Sequence, residues 1–458
     1  MKRSKFISGT LKAAAGTVIL PTIVPSSVFG KIPPSDRINI GQIGFGRIAM
    51  VHDLAETLKY DIARVVAIAD FDTIRLASGK KHIEDFYARE TGSEGYINVK
   101  TYGDYHEILA DKNIDAVIIS TPDHWHAQPA LEAAVEGKDI YLQKPTSLTI
   151  TEGRLLSDVV RQKKIILQVG TQQRSSTQFR VAAELVRNGR IGKLETVKIG
   201  LPGDPSGPEA EEMPVPENLN YDAWLGSTPE VYYTEMRVHP QNSITDRPGW
   251  LRCEQFGAGM ITGWGQHHFD SAAWGMDTEL TGPVTIEAVA QFPKSGLWDV
   301  HGDFMAKAEY KNGITMLTSG GYPNGIRYEG TEGWIFVTRG AYRASPSDPI
   351  PEGATKALEA SNPAILTSVI GPDEIHLYES SEQHGNWLDC IKSRKEPISP
   401  VEIGHRACTV CLITHIAMKL KRKLTWDPDS ERFVNDDEAN SMLSRPQRAP
   451  YGTNYVKL

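Results

Sequence analysis

Short apolar runs alternate with stretches of helical spacing from about residue 37 to residue 170. Five of the runs are almost continuously apolar, which is typical of strands buried on both faces of a parallel sheet. They cover residues 38–43, 65–69, 116–120, 140–142 and 165–169. Apolar positions at helical spacing fall between them, at residues 51–58, 131–135 and 152–161. The alternation predicts an α/β domain whose parallel sheet is covered by helices.

The pattern changes after residue 170. A helix is predicted over residues 179–188, and residues 202–218 form a surface loop because they hold five prolines and several acids. Further strands are predicted at residues 195–199, 284–291, 304–310, 315–319 and 334–338, many joined by Gly-containing turns. Residues 344–373 are loop-rich, and a last long helix is predicted over residues 406–420. This part of the chain is predicted to be an α+β domain with a large, mainly antiparallel sheet.

The first thirty residues differ from the rest of the chain. Lys2, Arg3 and Lys5 precede an apolar run over residues 13–24, which is shorter than the ~20 residues that a membrane span needs. A basic start, a short apolar run and small residues before Gly30 are typical of a secretory signal. Residues 3–7 resemble a twin-arginine export motif in which Ser4 replaces the second arginine. We expect an exported, periplasmic protein, cut near Gly30, with no membrane span in the mature chain.

Composition narrows the class of protein. Hydrophobic residues make up 40% of the 458 positions and the net charge is −8, so the chain is globular and nucleic-acid binding is disfavoured. Its four cysteines are too few for a disulfide framework. Cys408 and Cys411 fall inside an apolar helical run and are interpreted as core residues rather than as a redox or metal pair.

A glycine-rich turn follows the first predicted strand and opens a helix, which is the context that gives a G-x-G-x-x-A string its meaning. Gly44 permits the tight turn, Gly46 lets the backbone approach a pyrophosphate, and Ala49 lets the helix pack closely. The turn predicts a Rossmann domain that binds a dinucleotide at the helix N-terminus. The predicted cofactor contacts there are Gly44, Phe45, Gly46, Arg47 and Ile48.

The second predicted strand is followed by Asp70. An acid at this position suits ribose hydroxyls and repels a 2′-phosphate, so NAD is the expected cofactor. Arg75 lies close enough to keep NADP as the weaker alternative. The predicted organisation is a signal over 1–30, a Rossmann NAD-binding domain over 31–170, an α+β substrate and oligomerisation domain over 171–434, and a polar tail over 435–458.

Two further loops follow strands of the first domain and should meet the cofactor, because ligands bind beyond the carboxyl ends of such strands. After residues 116–120 come Thr121, Pro122, Asp123 and His126, where His126 is expected to cap the next helix. No Cys or Glu completes a metal set with the two histidines of this loop, so no metal is expected. After residues 140–142 come Gln143 and Lys144, and Lys144 is placed to polarise or deprotonate a substrate hydroxyl.

These motifs at these spacings resemble the Gfo/Idh/MocA oxidoreductase family over nearly the whole chain from Arg37. Asp123 stands where the family usually has Asn, and Gln143 replaces the Glu of its Glu-Lys-Pro turn. The family's Asp-x-Gly-x-His element corresponds to residues 263–267, with Gly263 in place of the acid. The resemblance implies that His267 is the second catalytic group, beside Lys144. His268 sharing that work, or a pair of core or helix-capping histidines, are the alternatives.

The resemblance also implies a carbohydrate substrate: a sugar, glycoside or polyol. Gln172 follows the strand at 165–169 and is assigned to the cofactor. A satisfied interdomain contact is an equal alternative for Arg174, Arg252 and Trp264. The predicted substrate contacts are Gln173, Arg174, Arg252, Trp264, His268 and Asp270.

The sequence as a whole predicts an NAD(H)-dependent oxidoreductase with a bound, internally recycled cofactor and a homo-oligomer formed through the second-domain sheet. Two alternatives stay open. One is a glycosidase-like enzyme that oxidises its sugar transiently and breaks a bond by elimination. The other is a catalytically silent sugar-binding protein that keeps NAD as a structural element, since Gly263 and Gln143 replace two acids of the family.

Overall fold

The computed structural model describes residues 36–91, 98–340 and 356–458. The predicted signal over residues 1–30 therefore lies outside the described residues, as does part of the loop-rich segment at 344–373. Within the described ranges, no helix combines the length and apolarity that a membrane crossing requires.

The first domain is a parallel sheet with helices on both faces, as the alternating pattern predicts. Its strands are β1 (Ile38–Ile43), β2 (Ala63–Ala69), β3 (Lys100–Tyr102), β4 (Ala116–Ile119), β5 (Asp139–Leu142) and β6 (Leu167–Val169). Its helices are α1 (Leu54–Leu58), α2 (Thr73–Thr91), α3 (His106–Ala110), α4 (Ala127–Val135) and α5 (Ile150–Lys163). The order across the sheet is β3-β2-β1-β4-β5-β6. The strand order therefore reverses at β1 and β4, which are parallel neighbours. Such a reversal is where α/β sheets bind their ligands.

The second domain is built on a nine-stranded sheet in which the β7–β10 pair is parallel and the other pairs are antiparallel. Its strands are β7 (Leu194–Gly200), β8 (Thr285–Ala290), β9 (Phe304–Glu309), β10 (Thr315–Ser319), β11 (Gly325–Gly330), β12 (Gly333–Val337), β13 (Leu358–Ala360), β14 (Leu424–Asp427) and β15 (Arg432–Phe433). Their order is β13-β12-β11-β7-β10-β9-β8-β14-β15. The predicted mainly antiparallel sheet is confirmed.

The described residues of this part of the chain also form helices. They are α6 (Thr177–Arg187), α7 (Tyr221–Leu225), α8 (Met260–Gly263), α9 (Gly265–Met276), α10 (Pro363–Leu366), α11 (Gln383–Ser393), α12 (Val401–Leu420) and α13 (Asp437–Ser441). Helices α6, α9 and α12 pack against the sheet, whereas α11 packs against α1 and β5 of the first domain. The long helix α12 packs between β8, α5 and α9 and is buried along most of its length. Cys408 and Cys411 are fully buried in it, and burial raises the pKa of Cys408 to about 11. Both thiols are therefore core groups, as predicted from the apolar run.

The end of the chain returns to the first domain. Trp387 of α11 packs edge-on against Tyr141 of β5, and the N–H of Gly452 donates to Oε1 of Gln128 at 2.6 Å. The predicted tail over 435–458 is thus a folded segment that contains α13 and lies against α4. The limits of the two domains stay a prediction.

Candidate active site

A cavity opens at the carboxyl ends of β1, β2, β4 and β5, and residues of α8, α9 and the 239–251 loop form its opposite wall. The wall on the Rossmann side contains all the residues that the sequence assigned to the cofactor. They are Gly44, Phe45, Gly46, Arg47, Ile48, Asp70, Thr121, Pro122, Asp123, His126, Gln143, Lys144 and Gln172.

The glycine-rich turn leaves room where a dinucleotide needs it. Gly44 has a φ of +83°, and a Cβ there would lie 3.0 Å from the Ser120 carbonyl oxygen. A Cβ at Gly46 would meet nothing nearer than the Arg75 guanidinium at 4.0 Å. Gly44 is therefore required by the backbone itself, whereas Gly46 keeps open the space into which a pyrophosphate would fit.

Asp70 lies at the end of β2 beside this turn. Its carboxylate accepts hydrogen bonds from the N–H groups of Phe45 at 2.7 Å and Asp72 at 2.9 Å. Burial raises the pKa of Asp70, and these two bonds oppose that effect. Arg75 lines the same part of the cavity, where its guanidinium donates to the carbonyl oxygens of Pro240 and Ser243. The turn and Asp70 thus form one rigid rim.

The loop after β4 is tied to the loop after β5. One ring nitrogen of His126 lies 2.5 Å from the carbonyl oxygen of Pro145, and the other lies 2.9 Å from that of Thr121. His126 is the N-cap residue of α4, as predicted, but its side chain makes no capping hydrogen bond. His126 instead joins the two loops that carry the predicted cofactor contacts.

Asp123 and Lys144 face the cavity from these two loops. Burial raises the pKa of Asp123 to about 7, and the charge of Lys144 opposes the rise. Gln143 is 2% exposed, and its Oε1 accepts the backbone N–H of Lys144 at 3.2 Å. The cavity wall therefore places the Lys144 side chain near a buried carboxyl group whose pKa is raised.

His267 faces Lys144's loop from α9, the first turn of which begins at Gly265. Burial lowers the pKa of His267 well below its usual value, and the charges of Arg339 and Lys144 lower it further. The ring is therefore neutral at neutral pH. Its Nδ1 is buried and makes no hydrogen bond to any described residue. Gly263 also lines the cavity, and a Cβ there would meet only the Met260 sulfur, at 3.8 Å.

The predicted substrate contacts do not all reach the cavity. Trp264 lines it, but Arg174 pairs with Asp270 and Glu279 at 2.7 Å in the core of the second domain. Gln173 and His268 bond to each other, and Arg252 stacks on the Trp298 ring at 4.4 Å. None of these last residues lines the cavity, and each makes a contact inside the second domain. The assignment of five residues to the substrate therefore stays a prediction: Gln173, Arg174, Arg252, His268 and Asp270.

Other residues of the cavity wall belong to no sequence motif and were not predicted. Asp204 accepts the N–H of Met260 at 2.7 Å, and burial raises its pKa to about 6. Among the remaining ones, His52 comes from the helical turn Ala49–Asp53 of the first domain, and the others come from segments of the second domain, so their approach depends on how that domain folds back. They include His52, His239, Asp246, Arg247, Trp250 and Arg339.

Comparison with known proteins agrees with this geometry. The model of the oxidoreductase family's NAD-binding Rossmann fold matches residues 38–171, and the model of its C-terminal alpha/beta domain matches residues 206–346 and 370–453. The chain belongs to the Gfo/Idh/MocA oxidoreductase family.

Two curated relatives are inositol dehydrogenases. The chain is 31% identical to myo-inositol 2-dehydrogenase of Thermotoga maritima over 186 residues, which are 40% of this chain and 51% of that protein. It is 31% identical to scyllo-inositol 2-dehydrogenase (NAD(+)) of Bacillus subtilis over 175 residues, which are 38% of this chain and 47% of that protein. The chain thus spans about half the length of the curated relatives it matches.

Solved structures share the fold over most of the chain. A levoglucosan dehydrogenase in complex with NADH and levoglucosan is 19% identical, with a TM-score of 0.56 over 85% of this chain and 99% of the other. The WlbA dehydrogenase of Bordetella pertussis, in complex with NADH and UDP-GlcNAcA, is 16% identical, with a TM-score of 0.59 over 85% and 98%. At these identities the likeness establishes the fold.

Proposed function

We propose that the protein is an NAD(H)-dependent oxidoreductase that acts on a C–OH or C=O group of a sugar, glycoside or polyol. The observation that carries the proposal is that Lys144 and His267, from different domains, line the cavity that also contains the glycine-rich turn. The inositol dehydrogenases among the relatives support the class of substrate.

The two groups have complementary chemistry. His267 is neutral because its pKa is lowered by burial, so it takes the proton of the substrate hydroxyl as general base. Lys144 donates a hydrogen bond to the same oxygen and stabilises the negative charge that develops there. When bound, NAD accepts the hydride from the carbon that carries this oxygen. Trp264 and Trp250 on the same wall exclude water and offer ring faces to a sugar.

NAD is the proposed cofactor, with NADP as the weaker alternative. Asp70 supports NAD because its carboxylate lies at the rim where a 2′-phosphate would be repelled. Isothermal titration calorimetry on the protein freed of nucleotide is expected to give tighter binding of NAD(H) than of NADP(H). Tighter binding of NADP(H) would show that the Arg75 guanidinium, rather than Asp70, determines the choice of cofactor.

We further propose that the cofactor stays bound during turnover and that the chain is exported with it. The second domain closes the rim of the cavity through contacts to Asp72 and Arg75, which favours slow release. The N-terminal pattern supports a mature chain that begins at Lys31 outside the cytoplasm. Intact-mass measurement of the exported protein tests the cleavage site, and a full-length chain recovered from the cytosol would exclude export.

A sugar panel with absorbance detection tests the activity. With one oxidisable sugar and no acceptor, the purified protein should show a single-turnover rise in bound NADH, and a keto-sugar should then reverse it. Release of an aglycone without net NADH would assign the elimination reaction instead. Failure of every keto-sugar to bleach bound NADH would favour the silent binding protein. Continuous NADH production in proportion to added NAD would exclude internal recycling.

The outer face of the nine-stranded sheet is the proposed surface for a second copy of this chain. Val289 and Met305 are direct cross-strand neighbours on β8 and β9, and they are 63% and 54% exposed. Large exposed apolar pairs of this kind are typical of subunit interfaces. A Val289→Lys, Met305→Lys variant should run as a monomer in light scattering, whereas an unchanged molar mass would exclude this face.

A further inference from the structure

Asp53 is a carboxylate without solvent contact that the proposed reaction does not yet use. It lies just before α1, behind the glycine-rich turn, and its exposed fraction is 0%. Its Oδ2 accepts the hydroxyl of Ser120 at 2.6 Å, and its Oδ1 accepts Nε2 of Gln143 at 2.7 Å. Burial alone would raise the pKa of Asp53, but the hydrogen bond from His52 at 3.0 Å and the His384 ring nitrogen at 3.7 Å bring it below its usual range. The group is therefore an anion held inside the domain.

The Gln143 side chain links Asp53 to the backbone of Lys144 through two hydrogen bonds. Its amide donates to Asp53, which orients the amide so that Oε1 faces the backbone N–H of Lys144 at 3.2 Å. A buried amide with both ends engaged cannot rotate without breaking a hydrogen bond to a charge. The backbone of the lysine is thereby fixed by a residue on a different element.

The same network reaches the glycine-rich turn. Nε2 of Gln42 donates to the Gly44 carbonyl at 2.8 Å and lies 3.2 Å from the Ser120 hydroxyl, which in turn donates to Asp53. A continuous chain of buried polar groups thus links the proposed pyrophosphate turn to the proposed catalytic lysine. Buried hydrogen bonds to a charged group hold their partners in one arrangement.

We propose that Asp53 and Gln143 are a positioning pair for Lys144. Asp53, which lies next to helix α1, supplies through Gln143 the negative charge that a glutamate at position 143 would supply directly. This inference rests on the proposed function, because it assigns Lys144 the catalytic role. It explains how Gln143 is accommodated beside the lysine: the Asp53 carboxylate lies one 2.7 Å hydrogen bond behind the amide.

A metal site is the competing interpretation of the same residues. Ligand atoms of His52, Asp53 and His384 lie within 4.8 Å of one another, and within the described residues they are the one group of this kind. Both Asp53 oxygens, however, already accept hydrogen bonds at 2.6 and 2.7 Å from groups that carry protons and would have to be displaced. The donors that surround Asp53 solvate an anion, which is the arrangement that a positioning carboxylate needs.

The test is a reciprocal exchange in the full chain. Asp53→Asn removes the charge, Gln143→Glu adds a second carboxylate beside the first, and the double variant reverses the pair while keeping the net charge. The first readout is the acetylation rate of Lys144 by acetic anhydride at neutral pH, measured by mass spectrometry relative to exposed Lys112. This ratio needs no sugar and no bound cofactor, so it stands whether or not the proposed reaction is found.

The two single variants should change this ratio in opposite directions. Loss of the negative charge makes the Lys144 amine easier to deprotonate, so Asp53→Asn should raise the ratio by about threefold or more. Gln143→Glu should lower it by a similar factor, and the double variant should return it to the wild-type value. Asp123, a carboxyl group whose pKa the charge of Lys144 lowers, is unchanged in all four proteins. A purely structural defect would raise the ratio in both single variants.

Turnover provides the second readout once a sugar is known. Each single variant should lose about 10- to 100-fold in kcat with little change in KM, and the double variant should recover most of the loss. Glu431→Gln is the matched control, since it removes a buried carboxylate from an ion network outside the cavity wall and should lower the unfolding temperature without changing the Lys144 ratio.

Three results would overturn the proposal. The first is an unchanged Lys144 acetylation ratio in both single variants. The second is a double variant whose kcat is no higher than that of the less active single variant. The third is a change in the acetylation ratio of the wild-type protein after dialysis against EDTA. The last would make Asp53 a metal ligand. If the exchange behaves as expected but no sugar is oxidised, the positioning pair stands and the proposed reaction fails.

Discussion

The carboxylate of Asp72 lies 3.0 Å from Nε2 of His239, and this contact joins the end of β2 to a loop of the second domain. The same carboxylate accepts the side-chain amide of Asn218 at 2.8 Å, and the N–H of Thr73 donates to the Asn218 carbonyl at 2.9 Å. Because His239 and Arg75 both line the cavity, this clasp closes its rim beside Asp70.

Breaking the clasp should release the cofactor faster. In His239→Phe the ring volume is kept and the hydrogen bond to Asp72 is lost, which should raise the NADH dissociation rate by about 10-fold, the equivalent of one hydrogen bond to a charge. Stopped-flow fluorescence with a nucleotide trap measures the rate. His106→Phe, at an exposed histidine, is the control. An unchanged rate would show that the loop does not limit release.

Substitutions at the two glycines of the turn should have different consequences. Gly46→Val should abolish NAD binding in calorimetry while leaving the unfolding temperature of the nucleotide-free protein nearly unchanged, because a Cβ there meets open space. Gly44→Ala should destabilise the protein itself by about 1–3 kcal/mol, since its φ of +83° is strained for any other residue. If Gly46→Val unfolds the protein, the open space has another role.

Lys144 and His267 should be needed for turnover but not for cofactor binding. Lys144→Ala and His267→Ala should each lose 10²–10⁴-fold in kcat, roughly the value of one general acid–base group, with NAD affinity kept. His268→Gln distinguishes the two neighbouring histidines, because His268 bonds to Asn324 inside the second domain. Normal turnover in His267→Ala together with loss in His268→Gln would reverse the assignment.

Stability should increase as the pH rises from acid to neutral. Four histidines have their pKa lowered by burial, to about 3 or 4, so the unfolded chain binds protons there that the folded protein does not: His124, His126, His268 and His301. Asp123 and Asp204 oppose this, because burial raises their pKa to about 7 and about 6 and the folded protein keeps their protons.

The balance of these groups sets the slope. Between about pH 4.5 and 6, unfolding takes up more protons on the buried histidines than it releases from the buried aspartates, so stability should rise with pH. Unfolding temperatures measured across this range test the sign. His268→Gln should flatten the slope by about one proton, and a midpoint that falls as the pH rises would contradict the assignment.

Five of the six strands of the first domain could be predicted from the sequence because their signals are local, whereas β3 and the long helix α2 were not predicted. Buried parallel strands are continuous apolar runs, and the glycine-rich turn requires specific residues at fixed spacing. Strand β11 was not predicted, since Gly325 and Gly330 bound it and charged residues alternate within it. It forms because β7 and β12 pair with it on either side.

The sequence by itself determined the Rossmann sheet, the dinucleotide turn and the positions of Lys144 and His267, since each depends on residues near one another in the chain. Only the tertiary structure decided which polar residues reach the cavity. Arg174 and Asp270 carry side chains suited to a sugar, yet they neutralise each other in the core at 2.7 Å. Arg339 and Asp204 carry no motif, yet they line the wall. The physical reason is that burying a charged side chain costs free energy unless an ion pair or hydrogen bonds offset the loss of water. The residue that provides this partner can lie anywhere in the chain.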